Sequence, residues 1–341
     1  MSEPSLFLNE ILSYSNFMNI KEEFKNQQIQ YLINEPLSQH TYYKIGGQCA
    51  FYIEPKNITQ LQTVIEIIKK NDLQFFILGH GANVLFSDDG YEGIIINLKN
   101  FNKKSVEKNI VTCDTGVTLQ DFVDYCASLN LTGYAQLSGI PGTLGGALKM
   151  NAGAFGVEIY DHILSLRLLD KDNKIIEYLK SNLNTGYRST VFDDDQIIID
   201  AKFLLLEGKK DELQKIKDET ILKREQKQPL DFPSCGSVFK KTSLVPKIQN
   251  CPIKIEITEQ FNQWRGIPAG VLIEAVGLKG KTIGGAQISS KHGNFILNIN
   301  NAKAKDILNL INLARKEVYT NTGFILEPEV RLVGLTLDSL E

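Results

Sequence analysis

Two glycine-rich stretches and three short polar segments hold the residue types in this chain that could do chemistry. The denser stretch reads Ser138-Gly139-Ile140-Pro141-Gly142-Thr143-Leu144-Gly145-Gly146-Ala147 and continues to Asn151-Ala152-Gly153-Ala154-Phe155-Gly156. Where Cβ atoms are missing, the backbone can approach a ligand closely and offer successive N–H donors to phosphate oxygens. A plain surface loop is the alternative, although loops this long are usually functional or disordered. The second stretch, Gly79-His80-Gly81-Ala82-Asn83-Val84-Leu85, follows an apolar run and reads as another phosphate-binding turn. It starts like a G-x-G-x-x-G fingerprint, but Val84 stands at the third glycine position and no helical pattern follows, so a Rossmann reading is poor. Gly280-Lys281-Thr282 fails as a P-loop because Ala275 occupies the first glycine position.

The polar segments are Tyr187-Arg188-Ser189, Cys235-Gly236-Ser237-Val238-Phe239-Lys240 and Leu326-Glu327-Pro328-Glu329-Val330-Arg331. All three look out of place for plain packing, yet each has an ordinary reading when taken singly: a surface ion pair, a turn hydroxyl, a solvated strand carboxylate. In an extended chain Glu327, Glu329 and Arg331 share one face, with Leu326, Val330 and Leu332 nearer the other, and Pro328 restricts the segment to an edge or strand end. Lys223, Arg224 and Lys227 cluster at a helix end, where cations also complement the dipole. The four histidines, His40, His80, His162 and His292, are scattered without paired Cys or carboxylate spacing, so no metal is expected. Neither H-E-x-x-H nor G-x-S-x-G occurs.

Alternating strand and helix patterns must position these groups. From Thr41 the signals are those of a strand near Ala50–Ile53, a helix over Ile58–Lys70, and apolar runs at Gln74–Leu78 and Gly93–Leu98. A second set follows: a strand at Ile110–Asp114, a helix at Leu119–Leu129 capped by Thr118, a hairpin of Ile163–Leu169 and Lys174–Leu179 turning at Asp172-Asn173, and a strand at Gln196–Leu206. The charged helix Asp211–Arg224 leads through Lys227-Gln228-Pro229 to a third set, which contains a helix at Lys303–Tyr319 stopping at Gly323 and a strand at Phe324–Val333. Residues 1–33 read as an N-terminal extension with a weak helical pattern.

At 341 residues the chain exceeds the size of a single growing core, so several domains are expected. A composition of 43% hydrophobic and 23% charged residues with a formal net charge of −3 gives no broad basic field for nucleic acid. An anionic ligand must therefore meet a local basic cluster. Cys49, Cys113, Cys126, Cys235 and Cys251 are odd in number and form no C-x-x-C pair, which fits a reducing cytoplasm. The first residues carry no leader pattern and the apolar runs are strand-sized, so neither export nor a membrane partner is indicated.

Taken together and in this order, the segments resemble the UDP-N-acetylenolpyruvoylglucosamine reductases. The likeness rests on Lys44–Pro55, Gly79–Leu85, Gly139–Gly156, Gly186-Tyr187-Arg188, Lys227-Gln228-Pro229, Gly236-Ser237-Val238-Phe239-Lys240, Ile283-Gly284-Gly285-Ala286-Gln287 and Glu329-Val330-Arg331. It implies an α+β fold: two FAD-binding subdomains of the vanillyl-alcohol-oxidase type at 34–100 and 101–208, then a substrate-binding domain at 209–341. Gly46, Gly47, Gly79, Gly81, Ala82, Asn83, Val84, Gly139, Pro141, Gly142, Gly145, Gly146, Asn151 and Gly153 would hold a noncovalent FAD. Arg188, Ser237 and Glu329 would be catalytic, and Tyr187, Arg224, Lys227 and Gln287 would bind substrate.

The reaction so implied is an NADPH-dependent reduction of UDP-N-acetylglucosamine enolpyruvate to UDP-N-acetylmuramate for peptidoglycan synthesis, by a monomeric cytoplasmic enzyme. An FAD oxidase using O₂ and a sugar-nucleotide binder without turnover are the rival readings. Three departures from the family pattern stand out: Lys149 where an apolar or aromatic residue is expected, Lys241 where Asn is common, and a long stretch Lys241–Pro268.

Overall fold

The computed structural model describes residues 14–190 and 192–340, so residues 1–13 of the expected N-terminal extension lie outside it. The chain divides into two compact units. Unit 1 comprises Met1–Glu35, Cys49–His80 and Glu92–Lys223, and unit 2 comprises Pro36–Gln48, Gly81–Tyr91 and Arg224–Glu341.

Unit 1 has two hydrophobic cores. In the first, α1 (Tyr14–Asn26) and α2 (Ile58–Lys70) pack with a four-stranded sheet ordered Tyr31–Pro36, Gln48–Ile53, Tyr91–Ile96, Phe75–Ile77. The span of α2 is the one its apolar spacing predicts: Leu61, Val64, Ile65 and Ile68 are buried on one stripe, and the Asn57 side chain accepts the Gln60 N–H at 2.9 Å as the N-cap. Phe17, Ile20 and Phe24 of α1 join the same core.

The second core lies against an antiparallel sheet ordered Ile175–Leu179, Ile163–Leu169, Ile197–Leu204, Ile110–Asp114, Lys104–Glu107. Two helices complete it, α3 (Leu119–Ser128), capped by Thr118, and α4 (Leu144–Lys149), capped by Thr143. The expected hairpin forms: Asn173 takes φ +64°, and the Asp170 carboxylate accepts the N–H groups of Asp172 and Lys174.

The helix α5 (Lys210–Lys227) is longer than the sequence pattern suggests and carries the chain from unit 1 into unit 2, ending on Lys227. In unit 2 the helices α6 (Glu259–Trp264), α7 (Ala269–Ala275) and α8 (Ala304–Thr322) accompany a three-stranded antiparallel sheet of Thr282–Ile283, Ala286–Ile288 and Ile296–Asn298. Ile307, Leu310, Ile311, Ala314 and Val318 of α8 have no exposed surface, and Gly323 closes the helix with φ +76°.

The expected strand Phe324–Val333 is not continuous. Only Arg331–Val333 is a strand, parallel to Val84–Phe86, while Phe239 and Pro328 form an isolated pair. Pro328 has no N–H to extend a ladder. The long stretch 241–268 is a closed loop: Thr242 and Ile267 exchange backbone hydrogen bonds at its base, and Lys247 and Ile253 donate to Gly323 and Asn321 at the end of α8.

Candidate active site

In unit 1 the run 138–147 is laced to the segment before α3. Leu144 N donates to Val117 O at 2.8 Å, Gly145 N to Thr115 O at 2.9 Å, and Gly139 N to the Gln120 side chain at 2.8 Å. Pro141 has no N–H, and Gly146 N is taken by the capping hydroxyl of Thr143. Among the described residues this leaves the N–H groups of Gly142 and Thr143 without an acceptor. Asn151, fully buried with φ +43°, donates to Glu158 Oε2 at 2.8 Å and Gly186 O at 2.9 Å, but its buried Oδ1 has no partner among the described residues. A buried acceptor left so is costly unless a donor is supplied.

Arg188 follows Gly186, the residue that Asn151 holds, by two positions. Tyr187 and Arg188 form the two-residue turn of a small hairpin, Thr185–Gly186 paired with Ser189–Thr190, and Arg188 holds φ +53°, an uncommon conformation for a side chain of its size. Its guanidinium donates to Asn151 O at 3.2 Å and Gly153 O at 2.9 Å, and packs 5.1 Å from the Tyr187 ring. The glycine run thus aims the arginine. Lys149 explains itself here: its ammonium donates to the carbonyls of Phe192 and Asp193, pairs with Asp194 at 3.2 Å, and its own carbonyl accepts the Thr190 hydroxyl. It ties down the far arm of the Arg188 hairpin.

The second glycine turn begins at Gly79, whose carbonyl is held by Asn97 Nδ2 at 3.1 Å. No hydrogen bond among the described residues uses the backbone N–H of Gly79, His80, Gly81, Ala82 or Asn83, so five consecutive donors await an acceptor. Gly81 must be glycine: it takes φ +64°, and a Cβ there would lie 2.3 Å from His40 O. In unit 2, Gly81 O receives Tyr42 N, Asn83 O receives Arg331 N, and Val84 O receives the Cys235 thiol, whose pKa burial pushes up to about 12. Gly46 and Gly47 lie where the chain crosses residues 86–90 closely; Gly47 N donates to Ser87 O, and a Cβ would stand 2.3 Å from Asp88 O. That crossing is reason enough for glycine there.

Also in unit 2, the segment carrying Ser237 is held from both sides. Ser237 pairs with Phe295, and Val238 N donates to Asn294 O at 2.9 Å. The Asn294 side chain grips Phe239 with both its atoms, at 2.9 and 2.8 Å. On the other flank Lys240 N donates to Glu327 O and Glu329 N to Val238 O at 2.7 Å, which sets Glu329 beside the Ser237 segment. Asn83 Nδ2 fixes the Glu329 carbonyl at 3.1 Å. Residues remote in sequence are thereby joined, and no hydrogen bond among the described residues consumes the Ser237 hydroxyl.

Arg224 and Lys227 occupy the last turn of α5. Arg224 is half-buried, and burial pushes its pKa down, whereas Lys227 is exposed. Gln287 donates to Thr282 Oγ1 at 3.1 Å, leaving its carbonyl oxygen for a ligand. Sequence reasoning missed Asn83, Asn294 and Lys149 as supports. Isolated amides carry no spacing signal, and their partners are distant in sequence. Lys241, the other departure, donates to Trp264 O at 2.5 Å and so belongs to the closed loop.

In unit 1, the uncommitted, neutral backbone donors of Gly79, His80, Gly142 and Thr143 are of the kind a diphosphate takes, and the partnerless Asn151 Oδ1 calls for an N–H or O–H donor such as a flavin or ribose offers. No group of His, Cys, Asp or Glu that could hold a metal occurs among the described residues, and no described helix is long and apolar enough to cross a membrane.

Comparison with known proteins agrees with that chemistry. A family model described as FAD binding domain matches residues 49–178, and one described as the C-terminal domain of UDP-N-acetylenolpyruvoylglucosamine reductase matches 228–333. The reductase of Clostridioides difficile is 36% identical over 94% of this chain and 97% of its own length. That of Clostridium beijerinckii is 37% identical over 94% and 98%. The crystal structure of the reductase from Thermus caldophilus superposes with a TM-score of 0.72 at 26% identity, covering 89% of this chain and 98% of that one. An α+β chain with an FAD-binding domain and this C-terminal domain, alike over nearly its whole length, belongs to the UDP-N-acetylenolpyruvoylglucosamine reductase family of flavin-dependent oxidoreductases.

Proposed function

We propose that the chain reduces UDP-N-acetylglucosamine enolpyruvate to UDP-N-acetylmuramate with NADPH, through noncovalent FAD, as a cytoplasmic step of peptidoglycan precursor synthesis. The observation that carries the reading is the pairing in unit 2 that sets Glu329 beside a Ser237 whose hydroxyl is uncommitted. FAD, held by the residues of the two glycine stretches, would supply the two-electron redox chemistry, with NADPH as the source of the hydride that the methylene carbon of the enolpyruvyl ether receives. Negative charge then spreads from the neighbouring carbon into the substrate carboxylate. Arg188, preset by two backbone carbonyls, provides a forked donor set for that charge without reorganising. Ser237 delivers the proton to the adjacent carbon, and Glu329 stabilises or relays charge.

Lys227 and Arg224 hold the diphosphate, with Tyr187 and Gln287 contacting the rest of the sugar nucleotide. The FAD contacts are the residues of the two glycine stretches, with Gly46 and Gly47. The test is anaerobic flavin bleaching by NADPH followed by mixing with the enolpyruvyl sugar. Rapid reoxidation with formation of UDP-N-acetylmuramate is expected. Reoxidation by O₂ alone would make the chain an oxidase, and binding without reoxidation would make it a carrier.

A further inference from the structure

The cation that this reading assigns to the diphosphate sits on the last residue of a helix, where the chain is ordinarily least fixed. Arg224 O is met by Gln228 N at 2.7 Å, but the carbonyls after it lack intrahelical donors and no glycine cap follows Lys227. Lys291, from the turn between the strands Ala286–Ile288 and Ile296–Asn298, meets two of these: its ammonium donates to Glu225 O at 2.7 Å and Gln228 O at 2.8 Å. These two carbonyls bracket Lys227. An ammonium there also answers the negative end of the helix dipole.

The arm holding that ammonium is itself rigid. Ser289 Oγ accepts the N–H groups of Lys291 at 3.1 Å and His292 at 3.2 Å. Burial pushes the His292 pKa down, which favours the neutral imidazole whose Nδ1 accepts Asn294 N at 3.2 Å. Asn294 in turn grips Phe239, two residues from Ser237. The turn 289–294 is therefore anchored to the Ser237 segment at one end and to the end of α5 at the other.

We infer that Lys291 is a positioning residue for Lys227, so that this turn sets where the substrate diphosphate is held; the inference rests on the function proposed above. Two of the three ammonium donors of Lys291 are committed to backbone, which fixes it as a support of the helix end. Removing the ammonium frees the last turn of α5, and Lys227 must then be ordered at the moment of binding, which weakens affinity without touching the redox step.

The experiment is a double-mutant cycle on the FAD-loaded enzyme. Lys291→Met keeps the apolar stem, and should raise the substrate KM about tenfold, a loss on the scale of one charge-assisted hydrogen bond. The kcat and the rate of flavin reduction by NADPH should stay within about twofold, and Lys291→Arg should recover much of the loss. In a Lys227→Ala background the same change should move KM less than about twofold, because the residue it positions is gone. Equal KM effects with and without Lys227 would show that Lys291 acts on its own, and no KM effect of Lys291→Met, or none of Lys227→Ala, also overturns the inference. If Lys291→Met does not fold, the Lys291→Arg and Lys227→Ala pair decides: Lys291→Arg must stay near wild type in KM and lose any residual effect without Lys227. Absence of turnover by the wild-type protein is a different failure, that of the proposed reaction, and the inference falls with it.

Discussion

At the scale of single residues, the structure separates groups that are held from groups that are left open. The Ser237 backbone is pinned by Phe295 and its neighbours by Asn294, yet its hydroxyl is uncommitted. NADPH oxidation needs no proton on the substrate carbon, whereas quenching the enolate-like intermediate does. Ser237→Ala should therefore leave flavin bleaching nearly intact and slow reoxidation by the enolpyruvyl sugar on the order of 10²-fold, with Ser237→Cys recovering part. Stopped-flow rates of the two half-reactions give the ratio; equal slowing of both would reduce Ser237 to a turn residue. Arg188 is the converse case, a side chain fully oriented before substrate arrives. Arg188→Lys cannot reproduce the fork on Asn151 O and Gly153 O, so the same reoxidation step should slow by about 10²-fold while FAD content is unchanged. An Arg188→Lys enzyme of near-normal turnover would remove Arg188 from the charge-holding role.

At the scale of elements, a turn whose carbonyls at Gly79, Gly81 and Asn83 are held while its N–H groups stay open works only if its backbone shape is preserved. Gly81→Ala places a Cβ 2.3 Å from His40 O at a φ that alanine disfavours, a strain of about 1–3 kcal/mol. Fluorescence titration of the apoprotein should show FAD binding weakened at least about tenfold. Unaltered affinity would mean that residues 79–83 are no part of the cofactor site. The elements differ in how far they could be read in advance. Local periodicity and a capping asparagine determine α2, whose span matches its pattern, with Ile67 buried in addition and Ile58 half-buried. The segment 324–333 has strand-like alternation, but its partners are Asn83, Val238 and Val84–Phe86, remote in sequence, and proline breaks the ladder between them. Local propensity does not encode that division.

At the scale of the molecule, the proposed flavin is dissociable, held by neutral donors of the two glycine turns. His80 lies within one turn, so the point needs testing. Acid precipitation should leave FAD in the supernatant; flavin in the pellet would establish a covalent link. Binding to the folded state alone should also stabilise it: FAD at about 100 times its Kd adds about 2.7 kcal/mol, visible as a concentration-dependent rise in Tm. A Tm indifferent to added FAD would contradict cofactor binding by the folded chain. A single monomeric species is expected by light scattering, and a dimer mass would refute it.

The order of motifs along the chain was enough by itself to reveal the family, because glycine runs and the Arg188, Ser237 and Glu329 segments are contiguous words that need no partner to be read. Helices with strong apolar spacing were legible for the same reason: a 3.6-residue period is a local signal. Tertiary structure alone decided what holds those words in place. Lys149 departs from the family pattern in sequence, and only the fold places its ammonium on the carbonyls of Phe192 and Asp193 and the carboxylate of Asp194; Asn294 and Lys291 carry no sequence signal, and only the fold brings Phe239 and the end of α5 to them. Supporting hydrogen bonds join residues far apart in sequence through backbone atoms that every residue shares, so a one-dimensional pattern has nothing to mark them, and only the folded chain does.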